Sequence, residues 1–172
     1  MKKIAQFEKV KITQFMQDFK DCIGSNFSAD DIFQIHNDII LPKRATVGSA
    51  GYDFFMPISL ELKPNETIKI PTGIRVKMED GWVLQIFPRS GLGFKYRMQL
   101  NNTVGIIDAD YYNATNEGHI ICKITNDSKE NKTLILEKGN GFVQGIFTPF
   151  GITMDDEVSE IRTHGFGSTT KK

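Results

Sequence analysis

The segment at 88–93, Pro-Arg-Ser-Gly-Leu-Gly, combines residue types that suit an anionic ligand. Arg89 offers a planar cationic fork, Ser90 a hydroxyl donor, and Gly91 a backbone that a ligand can approach closely. Phosphate oxygens fit these donors. A strand-ending turn with a surface arginine explains the same residues. The segment is not a Walker loop, because the pattern Gly-x-x-x-x-Gly-Lys-Ser/Thr is absent from the sequence.

A carboxylate and an aromatic ring follow the β-prone run at 104–107. Asp108 comes directly after the run, and Tyr111 comes three residues later. A strand that ends in this way would hold both side chains at the rim of a pocket. Aspartate at a strand end is also a frequent turn former, so the run allows either interpretation.

The C-terminal segment could form a flexible arm. It carries an arginine, a ring between two glycines and two hydroxyl groups, at Arg162, Phe166, Gly167, Ser168 and Thr169. Such an arm could lay its ring on a base and offer hydrogen-bond donors to phosphate. Chain ends of this composition are also commonly disordered.

Two single polar residues lie in small or apolar surroundings. Asp53 ends the segment Ser-Ala-Gly-Tyr-Asp at 49–53, and Gln144 is the one polar side chain in the run at 142–147. Each residue could contact a ligand. A buried acceptor at the start of a strand, and a side chain that satisfies a neighbouring backbone group, are the structural alternatives.

The spacing of apolar residues predicts the elements that position these clusters. Apolar residues from Ile12 to Ile23 recur on one helical face that ends at Gly24, and a second, short helix is expected to begin at Ser28. From about Ile39 onward, short β-prone runs alternate with turn residues, which indicates an all-β sandwich or barrel. The predicted strands lie at 52–56, 58–62, 67–70, 74–78, 82–87, 120–124, 133–136 and 142–148.

Length and composition limit the number of domains, the kind of partner and the location that we expect for this protein. The 172 residues, 40% of them hydrophobic, suffice for one domain with a core. Lys and Arg total 21, as do Asp and Glu, which argues against a nucleic-acid or membrane partner bound by bulk charge. We find no signal peptide and no run of about 18 apolar residues, so a cytoplasmic location is expected. Two cysteines, Cys22 and Cys122, are too few for a disulfide framework and are predicted to be buried thiols.

Taken in chain order, the five clusters resemble the five motifs of the trimeric dUTP pyrophosphatases (dUTPases) over roughly 41–169. The most specific segments are 49–53, 88–93, 102–108 (Asn-Thr-Val-Gly-Ile-Ile-Asp) and 165–169 (Gly-Phe-Gly-Ser-Thr). The resemblance implies an all-β, jelly-roll-like fold with an N-terminal helical addition. It also implies one domain over 1–172, with a helical insertion at about 11–36 and a flexible arm at about 160–172.

The resemblance further implies roles for these residues in the hydrolysis of dUTP to dUMP and pyrophosphate. Asp108 would deprotonate the water that attacks the α-phosphorus. Tyr111 would lie against the deoxyribose and leave no space for a 2′-hydroxyl, while Asn102 and the hairpin through Gly105 and Ile107 would bind uracil. In this family the reaction keeps uracil out of DNA and supplies dUMP for thymidylate synthesis.

The remaining implied roles concern the phosphates. The expected phosphate-binding residues are Arg89, Ser90, Gly91, Gln144, Arg162, Gly167, Ser168 and Thr169, with Phe166 covering the uracil and Asp53 supporting the site. Mg²⁺ would bridge the phosphates, with water and no protein side chain as its other ligands. A homotrimer would share each site among its subunits.

The sequence departs from the family pattern at three places. The fourth motif, usually Gly-Glu-Arg-Ile-Ala-Gln, reads Gly-Asn-Gly-Phe-Val-Gln at 139–144, so the ion pair normally made by its arginine must be absent or supplied elsewhere. The segment between Arg162 and Phe166 is one residue shorter than usual. The loop at 112–117 is longer, and we expect it to reshape the outer face of the protein.

Two other functions compete with this interpretation. A dCTP deaminase on the same fold needs a glutamate where this sequence has Lys123, which makes deamination a poor fit. A regulatory binder could use the helical stripe of Phe15, Met16 and Phe19 as a surface for a protein partner, unless the stripe is buried. His36 and His119 lack paired ligands at useful spacing and are predicted to be structural, and Trp82 is predicted to lie in the core.

Overall fold

Short strands make up most of the chain, as the alternation of β-prone runs and turn residues predicts. The structure, a computed structural model, describes residues 2–160 and 162. Its elements are β1 (Ala5–Lys9), α1 (Ile12–Ile23), α2 (Ala29–Asp38), β2 (Lys43–Arg44), β3 (Tyr52–Phe55), β4 (Leu60–Leu62), β5 (Thr67–Pro71), β6 (Ile74–Met78), β7 (Trp82–Pro88), α3 (Ser90–Tyr96), β8 (Met98–Leu100), β9 (Gly105–Ile107), a 3₁₀ helix (Ala109–Asn113), β10 (Ile121–Asn126), β11 (Leu134–Leu136) and β12 (Gly141–Pro149).

The strands form antiparallel sheets around a common core. A five-stranded sheet has the order β2-β3-β12-β7-β9, and a three-stranded sheet has the order β5-β10-β8. Strands β1 and β6 form a separate pair, as do β4 and β11. Phe54, Leu84 and Phe142 of the larger sheet pack in one core with Ile70 and Ile124 of the smaller sheet. The prediction of an all-β, jelly-roll-like fold with an N-terminal helical addition is confirmed.

Helix α1 begins and ends at the predicted residues. Phe15 and Phe19 are fully buried and pack with Ile32 of α2. Burial of a phenylalanine side chain stabilises a fold by about 1.5–3 kcal/mol, so this face holds both helices on the strands. The hypothesis that the stripe of α1 is a surface for a protein partner is therefore wrong, because its two rings are covered by this chain.

Helix α2 begins at the predicted N-cap. The Ser28 hydroxyl accepts a hydrogen bond from the amide of Asp31 at 3.1 Å, and the Asp31 carboxylate accepts one from the amide of Ser28 at 2.9 Å. This reciprocal pair is a capping box, which satisfies two backbone donors that a helix start leaves free. The helix continues for 10 residues, longer than its few apolar residues suggested.

Several single-residue predictions are refined by the structure. Cys122 is buried as predicted, but Cys22 is only half-buried, and Trp82 is partly buried at the edge of the core. Burial raises the pKa of Cys22 to about 11 and that of Cys122 to about 12, so both remain thiols at neutral pH. His36 contacts the carbonyl of Val10 at 2.8 Å in a structural role, as predicted.

Across residues 2–160 and 162, none of the helices combines the length and the apolar character that a membrane span requires.

Candidate active site

A cleft of about 480 Å³, here called the first cleft, opens beside β9 and β10. Three residues predicted to bind the base, Asn102, Gly105 and Ile107, lie in its wall. A Cβ atom on Gly105 would stand 3.1 Å from the Cβ of Ile86, so a larger residue would push β9 away from β7. Glycine at this position therefore lets the strand that lines the cleft pack tightly on the sheet.

The predicted hairpin at 102–107 is a crossing between two sheets. Strand β8 pairs with β10 in the three-stranded sheet, whereas β9 pairs with β7 in the five-stranded sheet. Thr103 turns the chain with a φ of 67°, and its amide donates to the carbonyl of Leu100 at 2.9 Å. The segment is thus a turn as predicted, but its two flanking strands do not pair with each other.

Asp108 lies where the sequence places it, directly after β9 and before the 3₁₀ helix. Its side chain is 48% exposed, so a water molecule can reach the carboxylate. Arg162, the one residue of the predicted C-terminal arm beyond 160 that the structure describes, donates to Asp108 Oδ2 at 2.5 Å and to Asp110 Oδ1 at 2.9 Å. One guanidinium therefore bridges the two carboxylates in this arrangement.

Tyr111 is held by two hydrogen bonds at its hydroxyl group. The hydroxyl donates to the carbonyl of His119 at 2.9 Å and accepts from the side-chain amide of Asn116 at 2.8 Å. Burial raises the pKa of Tyr111 to about 12, which keeps the phenol protonated and able to donate at neutral pH. The guanidinium of Arg162 lies 5.8 Å from the ring centroid, over the ring. Tyr111 and Asp108 thus share one cationic neighbour.

A second cleft, of about 340 Å³, contains the predicted phosphate-binding segment. Arg89, Ser90, Gly91 and Gly141 lie in its wall. Residues 90–96 form the short helix α3, which was not predicted because the segment contains two glycines. The amides of Leu92 and Gly93 donate hydrogen bonds to the carbonyl of Arg89. Those two amides are therefore satisfied within the chain, whereas the side chains of Arg89 and Ser90 line the cleft.

Sheet register brings Asp53, Gln144 and Arg89 together. Gln144 of β12 lies directly opposite Asp53 of β3 on one side and Phe87 of β7 on the other. Residues paired in this way project from the same face, and Arg89, two residues beyond Phe87, projects from it too. The result is an ion pair between Arg89 Nε and Asp53 Oδ1 at 3.2 Å.

Gly141 explains how the chain compensates for the missing arginine of the fourth motif. A Cβ atom on Gly141 would lie 2.7 Å from Arg89 Nη1, so the absence of a side chain leaves the space that the Arg89 guanidinium fills. Arg89 is then the residue that pairs with Asp53. Asp53 is thus paired with an arginine of the second motif in this chain.

Helix α1 contributes residues that the sequence analysis did not assign to the site. Asp18, Asp21 and Cys22 lie in the wall of the first cleft, together with Lys69 and Lys123. Asp18 and Cys22 are one helical turn apart, beside the buried stripe, and this spacing was the available signal. Only the packing of α1 against β5 brings them to the cleft.

The two clefts have no lining residue in common. In one chain, therefore, Asn102, Gly105 and Ile107 lie in one cleft and Arg89, Ser90 and Gly91 lie in the other. Four predicted residues of the arm, Phe166, Gly167, Ser168 and Thr169, lie outside the described residues. Within 2–160 and 162, no group of three or more His, Cys, Asp and Glu side chains is arranged to hold a metal ion.

Comparisons with known proteins point to one family. The dUTPase family model matches residues 37–170. The deoxyuridine 5′-triphosphate nucleotidohydrolase of Lactococcus lactis subsp. lactis (strain IL1403) is 43% identical over 134 residues, which are 76% of this chain and 88% of that protein. The crystal structure of dUTPase from Streptococcus mutans aligns with a TM-score of 0.60 at 40% identity, over 67% of this chain and 90% of that one.

A more distant structural relative supports the fold alone. It is a mutant dUTPase from phage phi11 of S. aureus, described with a coordinated structural Mg(II) ion, and it aligns with a TM-score of 0.57 at 23% identity over 70% of this chain and 90% of that one. The matched family model covers more than half of the chain, and the relative from Lactococcus lactis exceeds 40% identity. The chain belongs to the dUTPase family.

Proposed function

We propose that this chain hydrolyses dUTP to dUMP and pyrophosphate, with Asp108 as the general base. The observation that carries the proposal is an accessible carboxylate directly after β9, a strand that lines the first cleft, and three residues before Tyr111. Membership of a family that hydrolyses dUTP supports the choice of substrate. Lys123 on β10, where a deaminase needs a carboxylate, argues against the alternative reaction.

In the proposed reaction Asp108 removes a proton from a bound water molecule. The water oxygen then forms a bond to the α-phosphorus, and the bond from that phosphorus to the bridging oxygen of the β-phosphate breaks, so the electron pair leaves with pyrophosphate. The hydrogen bond from Arg162 engages Oδ2 of Asp108 and competes there with a bound water molecule. We therefore infer that Arg162 exchanges Asp108 for the substrate phosphates when dUTP binds.

The base and sugar would be selected in the first cleft. The Tyr111 ring supplies the platform for the deoxyribose, and its close approach excludes a 2′-hydroxyl. Asn102 and the backbone through Gly105 and Ile107 supply hydrogen bonds to the uracil edge. Selection against ribose and against a 5-methyl group would be steric, while uracil and cytosine would be separated by their donors and acceptors.

The phosphates would be bound in the second cleft by Arg89, Ser90 and Gly91, with Gln144 next to Asp53. Arg89 binds phosphate oxygens through its fork, and Asp53 orients it. Arg89 and Ser90 would hold the phosphates of a Mg²⁺-bound dUTP in this cleft. When bound, the ion neutralises phosphate charge in the transition state.

We also propose a homotrimer in which each site combines residues of more than one subunit. The separation of the two clefts within one chain supports this arrangement, since dUTP spans both sets of residues. A cytoplasmic location is part of the same proposal, and the two free thiols support it.

Mixed trimers test the shared sites. One parent carries Asp108→Asn, and the other lacks residues 164–172, so each is expected to have little activity alone. After subunit exchange, some sites would combine an intact Asp108 with an intact arm, and partial pyrophosphate release from dUTP is expected. Exchange is verified by native mass spectrometry, and no recovery in verified mixed trimers would contradict shared sites.

A further inference from the structure

A buried histidine joins helix α1 to the segment that carries Tyr111. His119 is fully buried, and its Nδ1 lies 2.5 Å from Asp18 Oδ2 of α1. Its Nε2 accepts a hydrogen bond from the amide of Gly73 at 2.7 Å, so the ring proton is on Nδ1 and is donated to Asp18. The Phe15 ring of α1 packs against the imidazole, with centroids 6.1 Å apart. Helix α1 thereby fixes both the tautomer and the orientation of His119.

The backbone of the same histidine holds the sugar platform. The carbonyl of His119 accepts the hydroxyl hydrogen bond of Tyr111, and Asn116 donates to both that hydroxyl and that carbonyl. Asp18 is therefore connected to Tyr111 through a single residue. Asp18 also receives a hydrogen bond from Gln14 at 2.9 Å, which holds its carboxylate in place on the helix.

Two further contacts tie the residues around α1 to the loop that follows Tyr111. The hydroxyl of Tyr112 donates to Glu8 Oε2 at 2.8 Å. The amide of Lys11 donates to Glu117 Oε2 at 2.9 Å. The longer loop at 112–117 thus packs on the N-terminal addition, and both ends of the segment from Tyr111 to His119 are fixed by it.

We propose that Asp18 is a positioning residue for dUTP hydrolysis, acting through His119 to hold Tyr111 at the distance from the sugar that excludes a 2′-hydroxyl. The proposal rests on the proposed function of the first cleft. It gives the N-terminal helix a role in substrate selection in addition to its packing on the strands. Burial alone would raise the pKa of Asp18, but hydrogen bonds from His119 and Gln14 keep that pKa below its usual value, so the acceptor is charged at neutral pH.

The test is the ratio of kcat/KM for dUTP to kcat/KM for UTP. Asp18→Ala leaves the buried Nδ1–H of His119 without its acceptor, and the ratio is expected to fall about tenfold or more as Tyr111 shifts. Asp18→Asn retains an oxygen acceptor and is expected to restore most of the ratio. Asp30→Ala removes an exposed acid of α2 and is expected to leave the ratio unchanged.

The ratio separates positioning from general destabilisation, because a loss of folded protein lowers both rates by the same factor. Tyr111→Phe, which keeps the ring but removes the hydrogen bond to His119, provides a second and independent variant and is expected to lower the ratio in the same direction. On a logarithmic scale, the fall in the ratio for the double variant is expected to be smaller than the sum of the two single falls. Both substitutions act on the same chain of contacts, so their effects are not independent.

The outcomes distinguish the role of Asp18 from the proposed hydrolysis of dUTP. Selective hydrolysis of dUTP by the wild type, with an unchanged ratio in either Asp18→Ala or Tyr111→Phe, would overturn the role of Asp18 and leave the proposed function intact. A wild type that hydrolyses dUTP and UTP equally, or neither, would overturn both. A reduced ratio in both variants, restored in Asp18→Asn, would establish the positioning role.

Discussion

Asp108→Asn is expected to lower the turnover of dUTP by about 10²- to 10⁴-fold, which is the usual contribution of a general base. The amide has nearly the shape of the carboxylate but cannot take the proton of the attacking water. Binding of dUTP should change little, because the residues that line the two clefts are untouched. Single-turnover rates and equilibrium binding of dUTP measure the two quantities separately.

Asp110→Asn is the matched control for this variant. Asp110 is also about half exposed and also bonded to Arg162, so the control removes the same charge from the same ion-pair network. It lies three residues beyond the end of β9, whereas Asp108 lies one residue beyond it, and we expect Asp110→Asn to retain most of the turnover. Near-normal turnover in Asp108→Asn, or an equal loss in both variants, would remove Asp108 from the role of base.

Arg89→Ala is expected to lower kcat/KM for dUTP by about 10- to 150-fold. A hydrogen bond to a charged group contributes about 1.5–3 kcal/mol, and each 1.4 kcal/mol is a factor of ten. The substitution also removes the ion pair of Asp53 with Arg89. Gly141, where the family usually has another arginine, has no side chain that could replace it. Steady-state kinetics with dUTP in the presence of Mg²⁺ provide the measurement.

Arg97→Ala is the corresponding control. Arg97 pairs with Asp127 at 3.1 Å, a geometry close to that of Arg89 with Asp53, and its side chain is exposed. Exposed ion pairs contribute about 0–1 kcal/mol to stability, so this variant should hydrolyse dUTP nearly as well as the wild type. Equal activities of the Arg89 and Arg97 variants would contradict a phosphate-binding role for Arg89.

The sequence predicted the strands and α1 well because their apolar patterns are local. It missed the short strands β2 and β8. It also missed β1, whose segment Ala-Gln-Phe-Glu-Lys has only partial alternation and becomes a strand by pairing with β6 about 70 residues away. It also missed α3, because two glycines lower the helix propensity of this short segment. Both elements depend on tertiary contacts that a local pattern does not contain.

The candidate site shows the same division between local motif and tertiary contact. Motif spacing identified Asp108, Tyr111 and Arg89, because each stands in a specific local segment. The ion pair of Arg89 with Asp53 follows from sheet register, and the bond of Asp18 to His119 joins residues about 100 positions apart. No local sequence pattern marks either contact, so only the folded structure shows them.

The most direct test of the central claim is pyrophosphate release from dUTP in the presence of Mg²⁺, measured beside dCTP, dTTP and UTP under identical conditions. We predict release from dUTP alone, because the first cleft would reject cytosine, the 5-methyl group of thymine and the 2′-hydroxyl of ribose. Similar release from all four nucleotides would contradict the assignment of Tyr111, Asn102 and the backbone of β9 as the selecting groups. No release from any nucleotide, with dUTP still bound, would contradict hydrolysis itself and indicate a nucleotide-binding regulatory protein.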